Sequence, residues 1–232
     1  MILPSETNRK HEMTANSKTI LITGSTDGLG RAVAERLAAS GATLLVHGRD
    51  RQRGDEIVET IKCAGGTARF YQADFSSLAE VRDLAERVGR NHTSIDTLVN
   101  NAGIGVGRNR QERQVSKDGH ELRFAVNYLA GFLLSRLLLP LLTARPGGQI
   151  VNVSSVGQER INFADVMLVE RYDGRRAYCQ SKLAQIMFTF DLSNELRGAG
   201  VSVACLHPAT FMDTTMVKSG RHPASHVRQS RC

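Results

Sequence analysis

The chain has 232 residues, 41% apolar and 23% charged, with 21 glycines and 5 prolines, which suits one well-cored globular domain and excludes a disordered or collagen-like chain. Of the formal net charge of +7, four units come from Lys218, Arg221, Arg228 and Arg231 in the last 17 residues and one from residues 1–18, leaving +2 for the body. The basic balance therefore describes a solvated tail, and with no basic helix face in the body it gives no footing for nucleic-acid binding.

The chain opens with an extension, residues 1–17, that lacks the apolar stretch of a secretory signal. Six short apolar runs then alternate with amphipathic segments: residues 19–23, 43–47, 68–72, 96–100, 149–154 and 202–207. Most are apolar on both faces, as strands of a parallel sheet covered on both sides are. Helical spacing appears between them, in Leu29, Val33 and Leu37, in Leu78, Val81, Leu84 and Val88, and in Leu183, Ile186, Met187 and Phe190. The pattern predicts a Rossmann-type, doubly wound parallel α/β sheet in one domain, residues 18–215, followed by a basic irregular tail, 216–232. Residues 104–119 and 157–175 lack periodicity and follow strands, so they are read as loops at the carboxyl edge, where such sheets bind ligands. The longest apolar run, Gly131 to Leu142, is broken by Ser135, Arg136 and Pro140. It falls short of the roughly 20 residues of a bilayer span, so no transmembrane segment is expected. Cys63, Cys179, Cys205 and Cys232 form no CxxC pair and have no histidine at ligand spacing. Neither a zinc site, nor any other metal, nor a disulfide framework is predicted, and a reducing, cytoplasmic compartment fits best.

The first run leads directly into Thr23-Gly24-Ser25-Thr26-Asp27-Gly28-Leu29-Gly30 and a helix starting at Gly28. Glycines allow a tight turn and close approach of a pyrophosphate, and a helix N-terminus offers free N–H groups with partial positive charge. A dinucleotide site is the functional reading and a glycine-rich turn the bland one. An acid ending the second strand would bind the adenosine ribose of NAD, but the strand ends His47-Gly48-Arg49-Asp50. Arg49 suits a 2′-phosphate, which favours NADP, while Asp50 beside it keeps NAD open. Further on, Tyr178 and Lys182 stand four apart on a predicted helix, so both lie on one face and the ammonium can sit near the phenol. Bringing that phenol from about 10 to about 7 takes roughly 4 kcal/mol, to be supplied by Lys182 and an oxidised nicotinamide together. A tyrosine so tuned exchanges protons with a substrate hydroxyl near neutral pH.

Four motifs fall in order at strand ends: the glycine loop, Asn100-Asn101-Ala102-Gly103, Ser154-Ser155, and Tyr178-Cys179-Gln180-Ser181-Lys182. Together they resemble the short-chain dehydrogenase/reductase superfamily over residues 18 to about 215. The long gap between Ser155 and Tyr178, the phrase AYCQSKLAQIMFTFDL and the HPAT at 207–210 are most similar to its retinol-dehydrogenase-like branch. The resemblance implies Tyr178 as general acid/base, Lys182 as a second catalytic group that also holds the nicotinamide ribose, and Ser155 as hydrogen-bond donor to the substrate oxygen. Ser155 is preferred to Ser154 because SSVG, residues 154–157, matches the family's Ser-x-x-Gly with the second serine. Asn127 in FAVNYLA matches the family's helical Asn that supports a proton relay through water, with a buried hydrogen-bonding residue as the alternative. For the cofactor it implies Gly24, Ser25, Thr26, Asp27, Gly28, Leu29, Gly30, Asp74 against adenine, Asn101, Ala102 and Gly103 along the ribose, and Pro208 and Thr210 toward the nicotinamide. Cys179 is read as packing. The family usually continues through another helix pair and a seventh strand, which are not legible here, so the sheet is expected to end at its sixth strand. The expected function is NADP-dependent hydride transfer on a lipophilic alcohol or carbonyl, in a possible homo-oligomer. A truncated nucleotide-binding remnant with little turnover is the alternative.

Overall fold

The computed structural model describes residues 18–208. Thr210, the expected domain end at residue 215, the extension 1–17 and the tail 216–232 lie outside the described residues. Six parallel strands form one sheet: β1 (Thr19–Ile22), β2 (Thr43–Gly48), β3 (Thr67–Gln72), β4 (Thr97–Asn100), β5 (Gly148–Val153) and β6 (Val201–Leu206). Their order, β3-β2-β1-β4-β5-β6, reverses direction of growth at β1 and β4, the switch point of a doubly wound sheet. The register sets Ile22 beside Val46 and Val99, so the β1, β2 and β4 ends lie level.

Two cores follow from strand alternation. Leu21 and Leu45 point to the face covered by α3 (Leu78–Asn91), α4 (Leu122–Leu142) and α5 (Gly174–Glu195). Ile20, Ile22, Leu44 and Val46 point to the face covered by α1 (Gly28–Ala38) and α2 (Arg51–Cys63). Residues alternate sides along a strand, so both faces become apolar and both must be covered. At the β6 edge, Ser202, Ala204 and Leu206 are exposed among the described residues.

Four of the five helices begin at a short polar side chain accepting a backbone N–H, Asp27 for α1, Asp50 for α2, Ser77 for α3 and Asp173 for α5, while α4 begins at Glu121, whose carboxylate accepts from the Phe124 N–H. Helix α2 carries no strong apolar signal in sequence because only Ile57 and Ile61 among its large side chains are buried. It lies close to the sheet because Gly54 faces the Phe70 ring, where a Cβ would collide. Helix α4 is longer than its apolar run. The helix starts at Leu122, nine residues before the run counted from sequence, and over 21 residues, with an 18-residue stretch of mean hydropathy 1.6, it is long and apolar enough to cross a bilayer by length and composition alone. In this fold its Ala130, Leu134, Leu138 and Leu142 instead form part of the core against α3 and the sheet. Its second turn, Ala125–Leu129, is wound as a π-helix around Asn127.

Candidate active site

A cleft of about 1120 Å³ runs along the carboxyl ends of the strands, from Arg49 and Arg53 past the glycine loop to Tyr178 and Pro208. Whether it fits a dinucleotide can be judged from its glycines. Gly24 has φ +64°, and a Cβ there would lie 2.8 Å from the Ala102 Cα; one on Gly30 would lie 2.5 Å from the Asn101 Nδ2. Side chains at these places would collide with the protein's own Ala102, Gly24 and Asn101, so glycine is what lets the loop fold this tightly, and a loop with bare backbone at these places fits a backbone-hugging pyrophosphate. Asn101 fastens the loop from below, donating from Nδ2 to the carbonyls of Thr23 (2.9 Å) and Gly24 (3.1 Å). The Thr23 hydroxyl accepts from the N–H of both Asn101 and Ala102 at 3.0 Å. Thr26, Asp27, Gly28, Leu29 and Gly30 line the cleft as expected, with Gly28 at φ +54°. Ser25 does not: it is fully buried, its hydroxyl donating to the Ile22 carbonyl at 2.8 Å. Its place in the cofactor set is corrected to a support of the loop, because its hydroxyl turns into the protein.

The missing acid after β2 has a steric reason. A Cβ on Gly48 would meet the Thr26 side chain at 2.5 Å, so an acid at 48 would force Thr26 to shift. Arg49 is exposed at the mouth. Arg53, one turn into α2, adds a second guanidinium that strand-end reasoning does not find, with Asp27 at 3.4 Å and Asp50 at 3.7 Å. Asp74 accepts from the Ser76 N–H (2.9 Å) and hydroxyl (2.8 Å). Burial pushes its carboxyl up, but those bonds and Lys117 at 3.4 Å outweigh it and hold the acid below the usual range. Lys117 also reaches Glu80 at 2.7 Å and so pins the 114–118 segment beside the adenosine end.

At the other end, Ser155, Tyr178 and Lys182 line the cleft together with Gly103. The expected lowering of Tyr178 is not realised by the protein's own groups. Burial raises the phenol above its ordinary value, opposed by a hydrogen bond with Ser155. The lysine Nζ donates instead to the Val153 carbonyl at 2.8 Å and lies 3.4 Å from the Gln185 Oε1. Sharing a helix face put Lys182 and Tyr178 on one side, but the side-chain rotamer aims the ammonium at the strand. Burial also depresses Lys182 to about 8. Asn127 is 1% exposed and stands behind the cleft wall. Its Oδ1 accepts from the Ile104 N–H at 2.8 Å, and its Nδ2 donates to the Ile104 carbonyl (3.1 Å) and the Ser181 hydroxyl (3.0 Å). It clamps the loop after β4 to α5 beside Lys182. Cys179 is buried and its thiol raised by that burial, as for a packing residue.

A buried ion pair not found in the sequence joins the two loops. Arg123, 2% exposed, donates to the carbonyls of Gly105 (3.2 Å) and Val106 (3.0 Å), to Glu121 (3.3 Å) and to the Tyr172 hydroxyl (2.7 Å). Tyr172 in turn donates to Glu121 at 3.0 Å. Among the described residues no group of three or more His, Cys, Asp or Glu is arranged to hold a metal ion.

The short chain dehydrogenase family model matches residues 18–224. The chain is similar to retinol dehydrogenase 13 of Mus musculus, 35% identical over 218 residues that make up 92% of this chain and 63% of that protein. With retinol dehydrogenase 14 of Homo sapiens it is 36% identical over 210 residues, 83% of this chain and 61% of that one. It thus spans less than two thirds of the length of these curated relatives. Among solved structures it is similar to a metagenomic short-chain oxidoreductase in complex with NADP, at 28% identity and TM-score 0.70 over 83% of this chain and 82% of that one. A Pseudomonas aeruginosa RhlG/NADP active-site complex gives 27% identity and TM-score 0.71 over 89% and 77%.

Proposed function

The chain belongs to the short-chain dehydrogenase family, and from that premise we propose that it is an NADP-dependent oxidoreductase acting on an alcohol or carbonyl. One observation carries the reading: the glycine cradle, Arg49 and the Ser155–Tyr178–Lys182 group all line one cleft. The glycine loop and the start of α1 hold the pyrophosphate, Asn101, Ala102 and Gly103 flank a ribose, and Asp74 faces adenine. Arg49, helped by Arg53, meets a 2′-phosphate, and Gly48 in the place of an acid supports NADP over NAD. The NADP named in two similar structures supports the same choice.

When bound, the nicotinamide supplies or accepts the hydride. The chain's own residues handle the oxygen. Ser155 donates a hydrogen bond to the carbonyl oxygen, and Tyr178 gives that oxygen its proton as the carbon is reduced; in the oxidative direction the same phenol takes the proton back. Lys182, fixed by Val153 and Gln185, holds the ribose on the nicotinamide side. Asn127 acts by holding Ile104 and Ser181, since the bonds just described occupy its amide. Ile104, Val153 and Val156 on the cleft wall favour a lipophilic substrate. Free Cys63, Cys179 and Cys205 favour a reducing, cytoplasmic setting.

The test is NADPH oxidation by purified protein over a panel of aliphatic and aromatic carbonyls, with NADPH binding measured in parallel. Binding with turnover is expected. Binding without turnover would leave a nucleotide-binding protein and overturn the enzymatic reading, and no binding would overturn both.

A further inference from the structure

We propose that His47 is a positioning residue of the dinucleotide site, tying the glycine loop to the adenosine-side wall through the two nitrogens of one neutral ring. The inference rests on the cofactor reading above. His47 stands near the end of β2 and is 3% exposed. Its Nδ1 accepts from the Gly24 N–H at 3.1 Å, and its Nε2–H donates to the Ala73 carbonyl at 3.2 Å. Those two partners, one donor and one acceptor, admit a single tautomer, with the proton on Nε2. The ring stacks on Phe75 with centroids 4.2 Å apart. The His47 backbone adds two bonds to the same loop: its carbonyl accepts from the Ser25 N–H and its N–H donates to the Ser25 hydroxyl, both at 2.9 Å.

Two consequences follow from this placement. The Gly24 N–H is spent on His47, so Gly24 contributes shape to the cradle and other amides face the phosphates. And Gly24 has no freedom to compensate if the ring moves, because its backbone is at φ +64° with the Ala102 Cα behind it. On the far side of the ring, Ala73 leads directly into Asp74, Phe75 and Ser76, which line the cleft. One ring therefore sets the separation of the pyrophosphate floor and the adenosine wall. Burial, with a smaller contribution from Arg87, depresses the ring's pKa to about 4 against the opposing pull of the Ala73 bond and Asp74, so neither nitrogen changes role near neutral pH.

The test titrates the full chain and two variants with NADPH and with 2′,5′-ADP, and measures the melting temperature without ligand. His47→Asn places an acceptor where Nδ1 stands, keeping the Gly24 bond and losing the Ala73 bond; His47→Gln places a donor where Nε2 stands, keeping the Ala73 bond and losing the Gly24 bond. Because each variant cuts one of the two ties, both are expected to bind both probes about tenfold more weakly than wild type, out of proportion to any change in melting temperature. A ring that merely fills space would weaken binding only in step with loss of thermal stability, and that result overturns the proposal. Wild-type affinity in either variant overturns it too, since one tie would then suffice. Failure of the wild-type protein to bind NADPH would overturn the cofactor reading instead. Should one variant fail to fold, the other decides alone: a tenfold loss at an unchanged melting temperature supports the proposal, and affinity near wild type overturns it.

Discussion

The glycine-loop half of the cleft is joined by neutral hydrogen bonds, from Thr23, Asn101 and His47 to backbone groups, whereas the loops of the other half meet at Arg123 and Glu121, 2% and 1% exposed. The difference lies in what each half loses when one partner is removed. A neutral bond contributes about 1 kcal/mol net, and its loss is shared among neighbours. A sealed ion pair contributes little net over an apolar filling, yet removing one member leaves the other as an uncompensated buried charge. The first half can thus be tuned residue by residue, while the second is kept whole or lost.

Substitutions in each half can break or sharpen that contrast. The largest expected effect belongs to neither scaffold but to the chemistry between them: Tyr178→Phe should lower kcat by about a thousandfold while NADPH affinity stays within about twofold, because only the proton donor is gone. Steady-state rates and cofactor titration check both parts. Next comes Arg123→Met, which strands Glu121 against Tyr172 and the Phe124 N–H. It should cost about 3 to 5 kcal/mol in urea unfolding. A loss below about 1 kcal/mol would show that the ion pair is no more sensitive than the neutral half.

A third prediction uses pH. The His47 ring titrates at about 4 in the folded protein against 6.5 ordinarily. Between those values the unfolded chain binds the proton and the folded one does not, so stability falls as pH drops from 6.5 to 4, by about 3 kcal/mol in all. Unfolding of wild type and His47→Asn at neutral pH and near pH 4 should show the variant losing that much less. The smallest effect is expected of Arg49→Ala. It should reduce the NADPH-over-NADH preference by roughly ten- to a hundredfold, with the lower end favoured by the exposure of Arg49 and by Arg53 beside it. Dissociation constants for both cofactors measure it.

The strands, the glycine loop and the helix face shared by Tyr178 and Lys182 were all determined by the sequence alone, because each rests on spacing within a few residues: alternation in a strand, a tight turn with its helix cap, a four-residue step. Gly48 read correctly as the place of a missing acid, though the side chain it faces, Thr26, is 22 positions away in chain and visible only in space. Helix α2 was not legible, since it buries too few apolar side chains to show a stripe. His47 gave no signal because its partners stand 23 and 26 residues away. Arg123 and Tyr172, 49 residues apart, read as ordinary loop and helix polar residues until packing brought them together. The direction taken by Lys182 and the raised phenol of Tyr178 also belong to the tertiary structure alone. Periodicity fixes which face a side chain occupies, but rotamer, desolvation and distant partners fix its charge state, and those exist only once the chain has folded.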